Sequence, residues 1–191
     1  MEGMYNKLPQ SVELKGKKFN INTDYRIFID YEMEMQERNK VEAIKNVLSR
    51  FYPAFSYIFS DKELLMEAID KFLWFYLCGK DEPVGTKSGE GKPETSVFSY
   101  EYDDLLIWGT YYQYFKVDLS TDYVHWWKFK AMWNTIPKSA EFSKIKGYRA
   151  YTGKDKKLLE LKDFYKLPLS KAQKKDKERR DKIFEQLKGG N

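Results

Sequence analysis

The chain has 191 residues, 42% of them hydrophobic and 17% aromatic, which suffices for one domain with a substantial core and argues against intrinsic disorder. Its 34 basic and 29 acidic residues leave a net charge of only +5, an excess that permits an anionic partner without demanding one. A single cysteine, Cys78, and a single histidine, His125, exclude an internal disulfide and a thiolate or imidazole zinc cluster within one subunit.

Cys78 lies in the apolar run that begins at Phe72, where a packed thiol in a reducing cytoplasm is the expected reading. The N-terminal stretch is polar, unlike a signal peptide, and no run approaches the ~20 apolar residues that cross a membrane. A soluble protein that stays where it is made, with no membrane partner, is therefore expected.

In chain order, Val12-Glu13-Leu14 and Lys17-Lys18-Phe19-Asn20-Ile21 flank a glycine turn and predict a short β-hairpin. Asp24 then caps a helix to about Glu34, with Ile27, Phe28, Tyr31 and Met35 at helical spacing. A second helix is predicted over residues 36–52, its stripe being Val41, Ile44, Val47, Leu48 and Phe51, with Pro53 closing it. Asp61 caps a third, in which Leu64, Leu65, Ala68, Ile69, Phe72 and Phe75 face inward before Gly79 ends it. Residues 79–99 carry four glycines and two prolines and predict a long flexible loop, at about 80–98.

Helical patterning resumes over residues 100–116, with Asp103 and Asp104 expected as solvated charges of its first turn. Ser120 or Thr121 is expected to cap the helix containing "HWWKFKAMW", which Pro137 ends, and Ser139 to open another through Phe142, Ile145 and Tyr148. Residues 171–182 hold seven basic and three acidic residues, followed by the apolar Ile183, Phe184 and Leu187. The reading is mainly α: a single multi-helix domain over 1–170 with a short N-terminal β-hairpin, and a projecting charged C-terminal helix over 171–191.

The sequence "GTKSGEGKP" fails the phosphate-loop pattern, because Thr86 stands where the first glycine is required and Pro93 replaces the metal-binding hydroxyl. His125 has no G-x-S-x-G context for a nucleophile, and Asp103 and Asp104 are neighbours whose side chains diverge around a helix. No enzyme, cofactor or metal site is expected. Around the tryptophan helix, Trp126, Phe129, Met132 and Trp133 share an arc suited to the core, while Tyr123, Trp127, Lys130 and Asn134 fall on a different line at i, i+4, i+7 and i+11. That second line is the candidate partner-binding surface, with burial under another layer of the chain's own helices as its alternative.

"INTDYR" at 21–26, "YEYDDLLIWGTYYQYFKVDL" at 100–119, "HWWKFKAMWNTIP" at 125–137 and "EFSKIKGYR" at 141–149 together resemble the bacteriophage gene product fifteen family, found in tail modules of phages of Gram-positive bacteria, over roughly residues 8–188. The resemblance implies a non-enzymatic tail-assembly protein in the host bacterial cytoplasm, similar to a tail assembly chaperone. It further implies the tape-measure protein and other tail assembly proteins as partners, with self-association also possible, and it supplies no catalytic residues. A nucleic-acid-binding accessory protein, less expected, rests on the 171–182 basic run, and a structural component of the finished tail stands as a third reading.

Overall fold

A computed structural model describes residues 8–36, 39–80, 97–169 and 171–188. Most of the glycine-rich stretch expected as a flexible loop lies outside the described residues. The hairpin is present: β1 (Ser11–Leu14) pairs antiparallel with β2 (Lys17–Asn20), with Val12 opposite Phe19 and Leu14 opposite Lys17. Lys15 and Gly16, both at positive φ (46° and 72°), make the two-residue turn whose twist suits adjoining strands. The Lys15 backbone N–H donates to Glu67 at 2.8 Å and its ammonium to Glu63 at 2.8 Å, so the turn is tied to a neighbouring helix. Val12 and Leu14 point from the same face of β1 into the core.

Nine helices follow among the described residues, so the mainly α reading holds, with the short hairpin and the charged C-terminal helix in place. The first is α1 (Tyr25–Glu34), capped by the Asp24 carboxylate accepting from the Arg26 N–H. Next, α2 (Lys40–Phe51) starts at the Asn39 cap, four residues later than expected. Its buried stripe is Ala43, Val47, Leu48 and Phe51, while Val41, expected inside, is 78% exposed. Val41 stands in the first turn of α2, about 200° around the helix from the buried Ala43.

The sequence reading did not separate α3 (Phe55–Phe59), a five-residue turn too short to show periodicity. Asp61 caps α4 (Lys62–Tyr76) as expected, accepting from both Glu63 and Leu64 N–H groups. Then come α5 (Asp104–Phe115), α6 (Trp126–Asn134), α7 (Glu141–Ala150), α8 (Lys156–Phe164) and α9 (Lys171–Lys188). Of these α8 was not anticipated, although Asp155 caps it through the Leu158 N–H. The described side chains of α9 are all exposed.

Aromatic rings fill the centre. Phe28 of α1, with no exposed surface, meets Phe51, Phe72, Phe75, Tyr76 and Trp126, its centroid lying 4.8 Å from that of the Trp126 ring. A second stack sandwiches Phe129 between Tyr25 and Tyr111, each at 4.8 Å and nearly parallel. Rings in such offset arrangements add to simple area burial. Their polar handles are satisfied: Tyr25 donates to the Leu119 carbonyl, Tyr111 to that of Phe129 and Tyr52 to that of Ala68. Desolvation raises the hydroxyl pKa of all three, which keeps them protonated donors.

Asp103 corrects the expectation of a solvated helix-start charge. It is 5% exposed and takes both terminal nitrogens of Arg149 on α7, at 2.7 and 2.9 Å, while also accepting the Ser99 N–H. Arg149 further donates to the carbonyls of Tyr165, at 2.6 Å, and Val97, at 3.2 Å. One planar guanidinium thus joins the approach to α5, the end of α7 and the residue after α8, a role that needs its fork of donors. Replacing Arg149 by Met should cost ~3–5 kcal/mol, because it strands a buried carboxylate. Asp103→Asn should cost less, since Arg149 keeps the Tyr165 and Val97 carbonyls and one amide oxygen still accepts, while the amide NH2 faces a guanidinium donor. Urea denaturation of both variants at neutral pH checks the order.

Candidate functional site

The "HWW" block was the strongest candidate for a functional surface, and its geometry is built from helix ends. The chain enters α6 in an extended conformation: Asp24 and His125 form an isolated bridge, with the Tyr25 N–H on the Val124 carbonyl and the Trp126 N–H on the Thr23 carbonyl. His125, not Ser120 or Thr121, is therefore the N-cap of α6, and its Nδ1 accepts from the Trp127 N–H at 3.1 Å. With Nδ1 unprotonated, Nε2–H donates to the Pro9 carbonyl at 3.0 Å. The ring is buried, tautomerically fixed and fully used, which leaves no nitrogen free to act as a base.

The two adjacent indoles share a task. Trp126 Nε1–H donates to the Tyr76 carbonyl at 2.9 Å, and Trp127 Nε1–H to the Phe75 carbonyl at 2.8 Å. Those carbonyls belong to the last turn of α4, and that of Phe75 also accepts the Cys78 N–H at 3.0 Å. Trp127 also lies edge-on to Trp74 and tilted over Phe75. The chain leaves α4 through Cys78 and Gly79 at positive φ (58° and 75°), and a Cβ on Gly79 would sit 3.1 Å from the Trp127 ring. Glycine is required there both for the backbone and for the close approach of the indole. Cys78 is half-buried and its thiol pKa is raised by burial, in keeping with a packed thiol.

The expected partner line is not one helix face. Tyr123 precedes α6; it is exposed, and its hydroxyl bonds that of Thr23. Trp127 is half-buried against α4, Lys130 places its ammonium 5.1 Å from the Trp126 ring, and Asn134 is exposed at the end of the helix. Among these four, Trp127 and Lys130 reach core rings and Tyr123 the buried Thr23, through separate contacts.

The sequence reading missed the open face of α5. Leu105, Trp108 and Tyr112 follow one another at i, i+3 and i+7, and all three are exposed, Leu105 at 76%. Trp108 stacks on Tyr112 at 5.6 Å and donates its indole N–H to Asp118. Opposite this face, α5 buries Ile107, Thr110 and Tyr111. A helix apolar all round is normally covered on every side, so the signal lay in Leu105-Leu106-Ile107-Trp108, four apolar residues in succession. Beside the face runs a groove of about 520 Å³ lined by Tyr25, Arg26, Asp30, Arg50 and Tyr100 as well as Leu105 and Trp108. Its charges are largely internal pairs, Arg50 with Asp30 at 2.6 Å and Arg26 with Asp24 at 2.9 Å, which leaves its apolar wall as the distinctive feature.

Among the described residues no group of His, Cys, Asp or Glu side chains is arranged to hold a metal ion, and no helix is long and apolar enough to cross a membrane. The family model for Bacteriophage Gp15 protein matches residues 4–178. This chain belongs to that family. The match takes in every element from the hairpin to α8 and ends inside α9, so both the capped tryptophan block and the open α5 face lie within the family's span. Comparison with curated proteins and with solved structures finds no match.

Two outcomes test the block as a structural clamp. Trp127→Phe, which keeps a ring but deletes the N–H, should lose ~1 kcal/mol, and Trp126→Ala ~3–5 kcal/mol, by chemical denaturation. His125 adds a pH dependence. Burial, chiefly, holds its pKa below the ordinary imidazole value, with the Pro9 bond opposing and Lys128 adding to the depression. Since the folded pKa is the lower one, the stability from the neutral ring is complete above the unfolded value, ~6.5, and is lost as pH falls through the folded one. Melting temperature should therefore fall on acidification below that point, and fall less in His125→Asn, which retains an acceptor for the Trp127 N–H.

Proposed function

We propose that this bacteriophage protein is a non-enzymatic tail assembly protein that acts as a chaperone, covering apolar helical segments of the tape-measure protein in the host cytoplasm until the tail tube polymerises around it. The observation that carries the reading is the exposed Leu105, Trp108 and Tyr112 face of α5, a preformed apolar strip beside a groove wide enough to seat side chains. A helix-in-groove contact needs such a strip, and the matching ligand is an amphipathic helix presenting apolar residues at i, i+3 or i+4, and i+7. Trp and Tyr supply large contact area with a polar end, which suits a surface that must release its client.

The α6 region offers a secondary contact in this reading, in which exposed Tyr123 and Asn134 flank Lys130, and Trp127 contributes the edge left uncovered by α4. Membership of the Gp15 family supports a phage role, and the buried, fully hydrogen-bonded state of His125 fits a binding protein better than an enzyme.

Coexpression with tape-measure fragments provides the test. The parent protein should copurify with a helical fragment, and Leu105→Asp with Tyr112→Asp should weaken capture at least ~30-fold while leaving the melting temperature nearly unchanged, because both side chains are exposed. Purified virions should contain the protein in trace amounts at most by mass spectrometry. Stoichiometric incorporation in the particle, or capture indifferent to the α5 substitutions, would refute the chaperone reading.

A further inference from the structure

Two uncovered apolar strips of this chain carry opposite charge. The first is the α5 face, Leu105, Trp108 and Tyr112, spanning ~10 Å along the helix. The segment around it, residues 99–123, has five acidic residues and one basic residue. Asp103 is consumed by Arg149, but Glu101, Asp104 and Asp122 are exposed, and Asp118 is half-exposed beside Trp108. The second strip is the C-terminal part of α9, where Ile183, Phe184 and Leu187 lie at i, i+1 and i+4, the last two 58% and 77% exposed. This helix carries eight basic and four acidic residues over 18 positions. The two arginines beside the α5 face, Arg26 and Arg50, are paired with Asp24 and Asp30, so that face is acidic on balance along its border and α9 is basic on balance along its own.

We propose that in solution the Ile183, Phe184 and Leu187 edge of α9 from one copy of this chain docks on the Leu105, Trp108 and Tyr112 face of α5 in a second copy. Both strips stay exposed within a single copy, which leaves each open to the complementary strip of another molecule. Apolar contact supplies the attraction, and the basic border of α9 against the acidic border of α5 sets orientation and excludes the reverse pairings of α5 with α5 or α9 with α9, each of which juxtaposes like charges. The inference rests on the α5 face named under the proposed function and gives it a resident occupant: α9 covers the strip until a client helix displaces it. Self-association and client capture are then competitive.

Sedimentation velocity over a concentration series, on the full chain with no client present, reads the proposal directly. The parent should associate reversibly, and raising the salt should weaken association several-fold. A tail variant, Phe184→Asp with Leu187→Asp, and a face variant, Leu105→Asp with Tyr112→Asp, should each be monomeric where the parent is not, a loss of at least ~30-fold. Mixed in equal amounts, the two variants should form a dimer, since the tail variant keeps an intact α5 and the face variant an intact α9. Far-UV circular dichroism confirms that each variant is folded, and serine replaces aspartate in any that is not. A monomeric parent, association that survives in either variant alone, or a mixture that stays monomeric would overturn the proposal. Capture of a tape-measure fragment by the tail variant separates the two ideas: it should persist whether or not self-association does.

Discussion

Trp126 lies flat against Phe28 while its indole N–H closes the end of α4 on the Tyr76 carbonyl, and the remainder of the core is arranged around that double contact. It joins the first, fourth and sixth helices at one buried point. Trp127 repeats the hydrogen bond one carbonyl earlier, and His125 starts the helix that carries both. Three consecutive side chains therefore finish one helix and begin another. A backbone carbonyl or N–H left bare at a buried helix end costs about as much as a lost hydrogen bond. The block thus owes its composition to termination as well as to packing: an indole combines a ring large enough for the core with an N–H donor at its edge and no acceptor left to satisfy.

The second constraint is the Arg149 fork. A buried carboxylate is costly unless it is paired and hydrogen-bonded, and here Asp103 has two guanidinium nitrogens and the Ser99 N–H. The pair fixes α7 against the start of α5. By holding the buried side of α5 in place, it leaves the opposite side, with Leu105, Trp108 and Tyr112, facing outward. The buried side and the open strip are two sides of one helix, so the strip can be wide and apolar without the fold depending on its being covered. Residues buried behind the strip carry stability, and the exposed residues on it contribute little to it.

Helix starts were legible where a capping side chain stood directly before an apolar stripe, as with Asp24 and Asp61, whose carboxylates accept the first-turn N–H groups. The hairpin was legible through strand alternation and its glycine turn. Where the capping residue was unusual, the boundary moved: His125 rather than Ser120 or Thr121 begins α6, because an extended bridge to Asp24 delays the helix. The candidate line through Tyr123, Trp127, Lys130 and Asn134 assumed one continuous helix, and that bridge places Tyr123 before it. Within α6 the spacing of Trp127, Lys130 and Asn134 is kept, and only Tyr123 falls outside the helix.

Composition and periodicity by themselves determined a mainly helical chain with an aromatic core, a hairpin at its start and a charged helix at its end, since local caps, turn chemistry and apolar spacing act over a few residues. Tertiary structure alone decided the partners of Asp103 and His125 and which side of α5 remains open, whereas the helical wheel had already placed Trp126 deeper than Trp127. The two pairings span 46 and 116 positions, Arg149 with Asp103 and His125 with Pro9. No local pattern encodes such a pairing, because a carboxylate that will be buried and one that will stay in water look the same until another helix arrives beside it.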